Sequence, residues 1–147
     1  MQKVIFLLVL FFFTHNLFAK EEYFLTLRNE TVNLRQGPSF DYPVKIFYKK
    51  KFLPILIQDK SENFRKVRDH ENNSGWIHIS QLSKKKAAIT IDDDLVLFSN
   101  STIYSNPIAI LKKGKLVIIN KCKKEWCKIS TREFKGWLQK KSLWGLL

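Results

Sequence analysis

The chain has 147 residues, 45% of them apolar and 14% aromatic, with 26 Lys and Arg against 13 Asp and Glu and a net charge of +13. This balance is too hydrophobic for a disordered chain and, with 5 Gly and 4 Pro, too glycine-poor for a fibrous one. The length allows one ordinary domain or two very small ones and leaves no room for a large catalytic domain beside anything else.

Met1-Gln2-Lys3 places a positive charge before an unbroken apolar run, Val4 to Phe13, and a more polar stretch follows that ends in the small residue Ala19. That is the order of a secretory signal peptide over residues 1–19, and the run falls well short of the roughly 20 apolar residues a membrane-spanning helix needs. Export of a chain beginning at Lys20 is expected. Next come short apolar runs separated by polar turns: Val32 to Arg35, Val44 to Tyr48, Leu53 to Gln58, Phe64 to Arg68 and Gly75 to Ile79. After Lys84-Lys85-Lys86 the pattern returns as Leu95 to Phe98, Ile108 to Leu111, Leu116 to Asn120, Trp126 to Ser130 and Gly136 to Gln139. Runs of this length without a 3.6-residue period predict strands.

The two sets are a repeat. Gly75-Trp76-Ile77 recurs as Gly136-Trp137-Leu138, Phe64-Arg65-Lys66-Val67 as Trp126-Cys127-Lys128-Ile129, and Ile55-Leu56-Ile57 as Val117-Ile118-Ile119. The second set is one residue shorter between its last two strands. Five short strands bury enough surface only by curling into a barrel, which also hides open edges. The prediction is all-β: two small barrels in tandem, over residues 24–83 and 88–145.

Val32-Asn33-Leu34-Arg35-Gln36-Gly37-Pro38, Phe64 to Asp69 and Gly75-Trp76-Ile77-His78 resemble the bacterial SH3-like domain. With Cys122 before Trp126-Cys127 and the closing Leu143-Trp144-Gly145, the pair is similar to a family of exported two-barrel proteins of the proteobacterial type. Phe64 stands where that family has Trp, Phe52 where it has a turn Gly, and the second unit lacks the Asn-x-Arg-x-Gly-Pro segment. The resemblance implies non-enzymatic barrels in the periplasm or cell envelope that bind peptides, cell-wall polymers or other proteins. Peptidoglycan or an envelope protein is the expected partner.

Cys122 and Cys127 flank the turn Lys123-Lys124-Glu125 between two predicted strands of an exported chain, so a disulfide is expected. A nucleophilic cysteine would need a base and zinc two further ligands, whereas past the leader the histidines are His70 and His78, both in the other unit. No catalytic residue, metal or cofactor is expected. Alternation along Trp126 to Ser130 sends Cys127 and Ile129 to the core, so that Trp126, and Phe64 by the same logic, faces outward. There an aromatic either packs against the neighbouring barrel or supplies a platform for a ligand. Carried over residue by residue, the resemblance implies ligand-binding pairs of Phe64 with Tyr42 and Trp126 with Tyr104.

Asn33, Arg35, Gly37 and Pro38 are expected to tie a turn through hydrogen bonds to carbonyls. An Arg–Asp pair among Arg65, Arg68 and Asp69 is expected to fix the following hairpin, and Asp92-Asp93-Asp94 to form a solvated strand entrance. The 21 Lys outnumber the 5 Arg and cluster at turns and the linker, as either a solvated face or an attraction for anionic envelope polymers or a membrane surface. Export and the lack of a recognition motif argue against nucleic acid.

Overall fold

The computed structural model describes residues 20–147, so the signal peptide expected over residues 1–19 lies outside the described residues. The first repeat forms β1 (Tyr23–Leu27), β2 (Val32–Arg35), β3 (Val44–Tyr48), β4 (Pro54–Ser61), β5 (Phe64–Arg68), β6 (Ser74–His78) and β7 (Leu82–Ser83). The second forms β8 (Ala87–Thr90), β9 (Leu95–Phe98), β10 (Pro107–Leu111), β11 (Leu116–Lys123), β12 (Trp126–Ser130), β13 (Lys135–Gln139) and β14 (Leu143–Trp144). A 3₁₀ turn precedes the last strand of each, at Ile79–Gln81 and Lys140–Ser142. The sheets are ordered β3-β2-β6-β5-β4-β1-β7 and β10-β9-β13-β12-β11-β8-β14, the same order strand for strand. The all-β tandem fold expected is the one observed.

Four strands go beyond the expectation. Tyr23–Leu27 follows directly on charged Glu21-Glu22, and Ala87-Ala88 has low strand propensity. β7 and β14 are two residues long, too short for alternation to register. Tertiary pairing makes them strands, because β1 is held between β4 and β7, and β8 between β11 and β14.

β4 and β11 are eight residues long and shift register against their partners, between Ile57 and Asp59 and between Ile119 and Lys121. A bulge bends and twists its strand, here at matching points of both repeats. The inward side chains repeat as well. Leu34, Ile55, Ile57, Val67 and Ile77 are buried in the first core, and Leu97, Val117, Ile119, Ile129 and Leu138 in the second. Each such burial is worth about 1.5–3 kcal/mol.

Equivalent turns precede β4 and β11. In the first, Phe52 donates its N–H to the Leu27 carbonyl, and in the second Gly114 donates to Thr90. Both are left-handed, Phe52 with φ 63° and Gly114 with φ 78°. For phenylalanine that conformation costs about 1–2 kcal/mol.

The barrels touch. Ile89 of β8 is buried in the first core, and Leu116 of β11 packs against it. Trp144 lies edge-on to Phe24 with centroids 4.9 Å apart, and 6.1 Å from His70. The Thr26 hydroxyl donates to the Lys85 carbonyl at 2.8 Å, pinning the Lys84-Lys85-Lys86 linker. The seam is thus built from strand ends and Trp144, and not from Phe64 or Trp126, for which packing between barrels was one expectation.

Candidate functional site

At one end of the first barrel, the loop from β2 to β3 folds back on the β5–β6 hairpin. Arg35 closes that loop, its guanidinium Nη1 donating to the carbonyls of Phe40 at 3.1 Å and Tyr42 at 2.8 Å. Its cation also lies 5.3 Å from the Phe40 ring centroid. Phe40 is thereby held over two rings of the hairpin, 5.2 Å from Phe64 and 5.1 Å from His78. Phe64 and His78 are register partners across β5 and β6, with centroids 5.1 Å apart. His78 Nδ1 accepts from the Ser80 backbone N–H at 3.2 Å and lies 2.8 Å from the Ser80 hydroxyl. Phe40 is 64% exposed, so the cluster presents an aromatic surface backed by a cation and an imidazole.

Phe64 lies on the outward face, yet it is 6% exposed because Phe40 and His78 cover it. The ring available to a ligand is Phe40. Tyr42 is half exposed and packs its ring over Gly37; Phe40 is the loop ring that meets Phe64. The second loop shows why the residue pairing slips by one. Gln36 N–H donates to Pro43 in the first unit and Ser99 to Asn106 in the second, so Tyr42 corresponds to Ser105, and Tyr104 to Asp41. Tyr104 is 91% exposed on the loop tip, and no ring–ring contact joins it to Trp126 among the described residues.

Trp126 is half-buried and meets Phe98 edge-on at 5.8 Å. Phe98 occupies the place of Arg35, since each pairs with the tryptophan of the adjacent strand, Trp137 or Trp76. Gln139 stands opposite Trp126, where His78 stands opposite Phe64. The second unit therefore keeps an aromatic pair and loses the cation and the imidazole. Phe40 and His78 were missed by the sequence reading. The hairpin register, which sets His78 across from Phe64, is the signal that could have found the second.

No Arg–Asp pair fixes the turn after β5. Asp69, 1% exposed, accepts instead from the N–H groups of Glu71 at 2.9 Å and Asn73 at 2.8 Å, from Asn73 Nδ2 at 2.9 Å and from the Tyr48 hydroxyl at 2.8 Å. Arg68 donates to Asn72. The shorter second turn uses Thr131, whose hydroxyl accepts from Glu133 and Phe134. Burial, with the Asp69 hydrogen bond and charge beside it, pushes the Tyr48 hydroxyl well above the ordinary tyrosine range. Stability from this group is present below about pH 10 and is lost as pH rises beyond it, because the unfolded tyrosine ionises there and the folded one resists. Urea midpoints measured between about pH 8 and 11 should fall above about pH 10, and Tyr48→Phe should flatten the fall.

Asp93 and Asp94 are exposed and engage Lys113 N–H and Lys112 Nζ, as a solvated strand entrance should. Cys122 and Cys127 are register partners beside the turn that joins β11 to β12 and form the disulfide, a closure worth about 2 kcal/mol from chain entropy. Among the described residues no three His, Cys, Asp or Glu side chains converge on a point where a metal could sit.

The bacterial SH3 domain profile matches residues 28–84 and again 93–145. This chain belongs to the bacterial SH3 domain family. No curated protein matches it. Its fold is similar to solved structures of NlpC2 and NlpC1 from Trichomonas vaginalis, at 14% and 13% identity and TM-scores of 0.39 and 0.38. Those alignments cover 84% of this chain and 48% and 45% of the others, so the chain spans about half the length of each. In this tandem bacterial SH3 protein the Phe40–Phe64–His78 cluster is the more elaborate of two corresponding aromatic clusters.

Proposed function

We propose that this protein is an exported, non-enzymatic binding module that docks on peptidoglycan through its first SH3 barrel. The observation that carries the reading is the half-open Phe40–Phe64–His78 cluster, locked by Arg35. A ring held rigidly over two others loses little entropy on stacking against a sugar face or peptide, and Arg35 and His78 add a cation and an imidazole beside it. The Cys122–Cys127 disulfide is in keeping with export to an oxidising compartment. Residues 20–147 should sediment with purified cell-wall sacculi, and Phe40→Ala, at an exposed position, should cut the retained fraction about tenfold, equivalent to the loss of about 1.4 kcal/mol. Sacculi that retain Phe40→Ala as well as the parent would remove the cluster from the site; sacculi that retain neither would remove peptidoglycan as the ligand.

A second reading, a structural adaptor with a single envelope protein as partner, is favoured by β10. This edge strand, Pro107–Leu111, carries no charged residue in a lysine-rich chain and leaves Ile110 64% exposed. Unpaired apolar edges are templates for an added strand. Crosslinking in intact cells that yields one dominant protein and no glycan would favour it.

A further inference from the structure

A cleft of about 590 Å³ opens between the two barrels, remote from the aromatic cluster. One wall is the loop from β3 to β4, with Lys49, Lys50 and Lys51, and the other carries Lys115 and the Arg132 of the β12–β13 turn. The single carboxylate on the lining is Glu30. Among the described residues the ion pairs are Lys20–Asp59 and Lys112–Asp94, and neither belongs to the cleft. Five cations therefore share one solvent-filled space with no acidic partner within ion-pair reach. Like charges so arranged repel one another, and an anionic occupant relieves that repulsion.

Two features set this cleft apart from a merely basic surface. Its walls come from different barrels, and the seam formed by Ile89, Leu116, Trp144 and Phe24 fixes their separation before any ligand arrives. Phe52 also lines it, held left-handed at the turn position where the second unit has Gly114. Strain retained at a position that tolerates glycine in the sister domain points to use of the side chain, here as an apolar wall beside the lysines.

We propose that the inter-barrel cleft binds a segment of a flexible, phosphate-bearing polyanion. Four of the five cations are lysines, point charges that do not impose the planar two-pronged geometry of arginine, so the cleft reads charge density. A chain of phosphates brings more negative charge into that volume than a carboxylate polymer does, and its flexibility lets successive groups meet both walls. Polyanion binding in the cleft is independent of peptidoglycan binding by Phe40.

Short-chain inorganic polyphosphate is the probe, titrated calorimetrically into residues 20–147. Raising salt from about 50 to about 200 mM should weaken binding on the order of a hundredfold if all five cations engage. The cleft variant Lys50→Gln, Lys51→Gln, Lys115→Gln should lose more than tenfold in affinity. Lys84→Gln, Lys85→Gln, Lys86→Gln removes the same charge from the linker and should lose less than threefold. Equal losses in the two variants would overturn the proposal in favour of diffuse attraction by net charge. Polyglutamate of matched length binding as tightly as polyphosphate would overturn the phosphate assignment, and orthophosphate competing at equal phosphate concentration would overturn the chain requirement. Phe52→Gly should bind polyphosphate more weakly while melting no lower than the parent; unchanged affinity would remove Phe52 from the site. Retention of Phe40→Ala binding to polyphosphate separates this site from the aromatic cluster.

Discussion

Replacing Asp69 with alanine should destabilise the first barrel by about 3 kcal/mol, measured as the shift in free energy from urea unfolding. The carboxylate accepts four hydrogen bonds and is almost fully buried. Hydrogen bonds to a charged group are worth about 1.5–3 kcal/mol each, but the exposed Glu71 and half-exposed Asn73 donors can turn to water once it is gone. The Tyr48 hydroxyl, buried, has less recourse. Asp69→Asn should cost about half as much, because its amide oxygen still accepts while its NH₂ can donate to the tyrosine oxygen. Equal losses for alanine and asparagine would show that the charge, rather than the acceptor geometry, holds the turn. Thr131→Ala, which removes two hydrogen bonds to a neutral hydroxyl in the other barrel, provides the smaller comparison.

Gly75→Ala should be comparably severe, at about 3 kcal/mol, the upper end of the usual cost of overpacking. A methyl there would sit 2.6 Å from the Arg35 carbonyl oxygen and 2.8 Å from Leu34 Cγ. A flexible side-chain tip could move aside, but a backbone carbonyl cannot without parting β6 from β2, which meet at the Arg35–Trp76 pair. Gly136→Ala meets the same obstacle, with Leu97 Cγ and the Phe98 carbonyl oxygen both at 2.7 Å. Gly114→Ala is the contrast. Its surroundings are open, its φ is 78°, and it should cost about 1 kcal/mol for backbone strain alone. Thermal unfolding of the three variants should therefore rank Gly75 and Gly136 together and well below Gly114; a Gly75→Ala protein as stable as Gly114→Ala would mean that the strands are not so closely apposed.

The paired Gly-Trp motifs, legible as repeat markers, thus have a packing cause: bare backbone on β6 and β13 lets β2 and β9 approach. The candidate site was less legible. Alternation correctly turned Phe64 and Trp126 outward, but facing outward is a property of one strand, whereas exposure depends on what folds over it. Phe40 reaches Phe64 from a loop held by two Arg35 hydrogen bonds, and nothing in the local pattern distinguishes Phe40 from Tyr42. The Asp69 turn departs from the expected Arg–Asp pair for a related reason. Arg65 and Arg68 lie nearest in sequence, yet the buried donor from outside the turn is Tyr48 on β3.

Sequence alone determined the duplication, the strand content, the placement of most strands and the cysteine pair, because these follow from period, spacing and turn chemistry within a few residues of chain. Only the tertiary structure decided that β1, β7, β8 and β14 are strands, that Trp144 and Ile89 clamp the barrels together, and that lysines distant in sequence face one another across a cleft. Those features depend on contacts between segments whose individual preferences are weak, and a preference becomes a position only when a partner arrives to pair with it or to bury it.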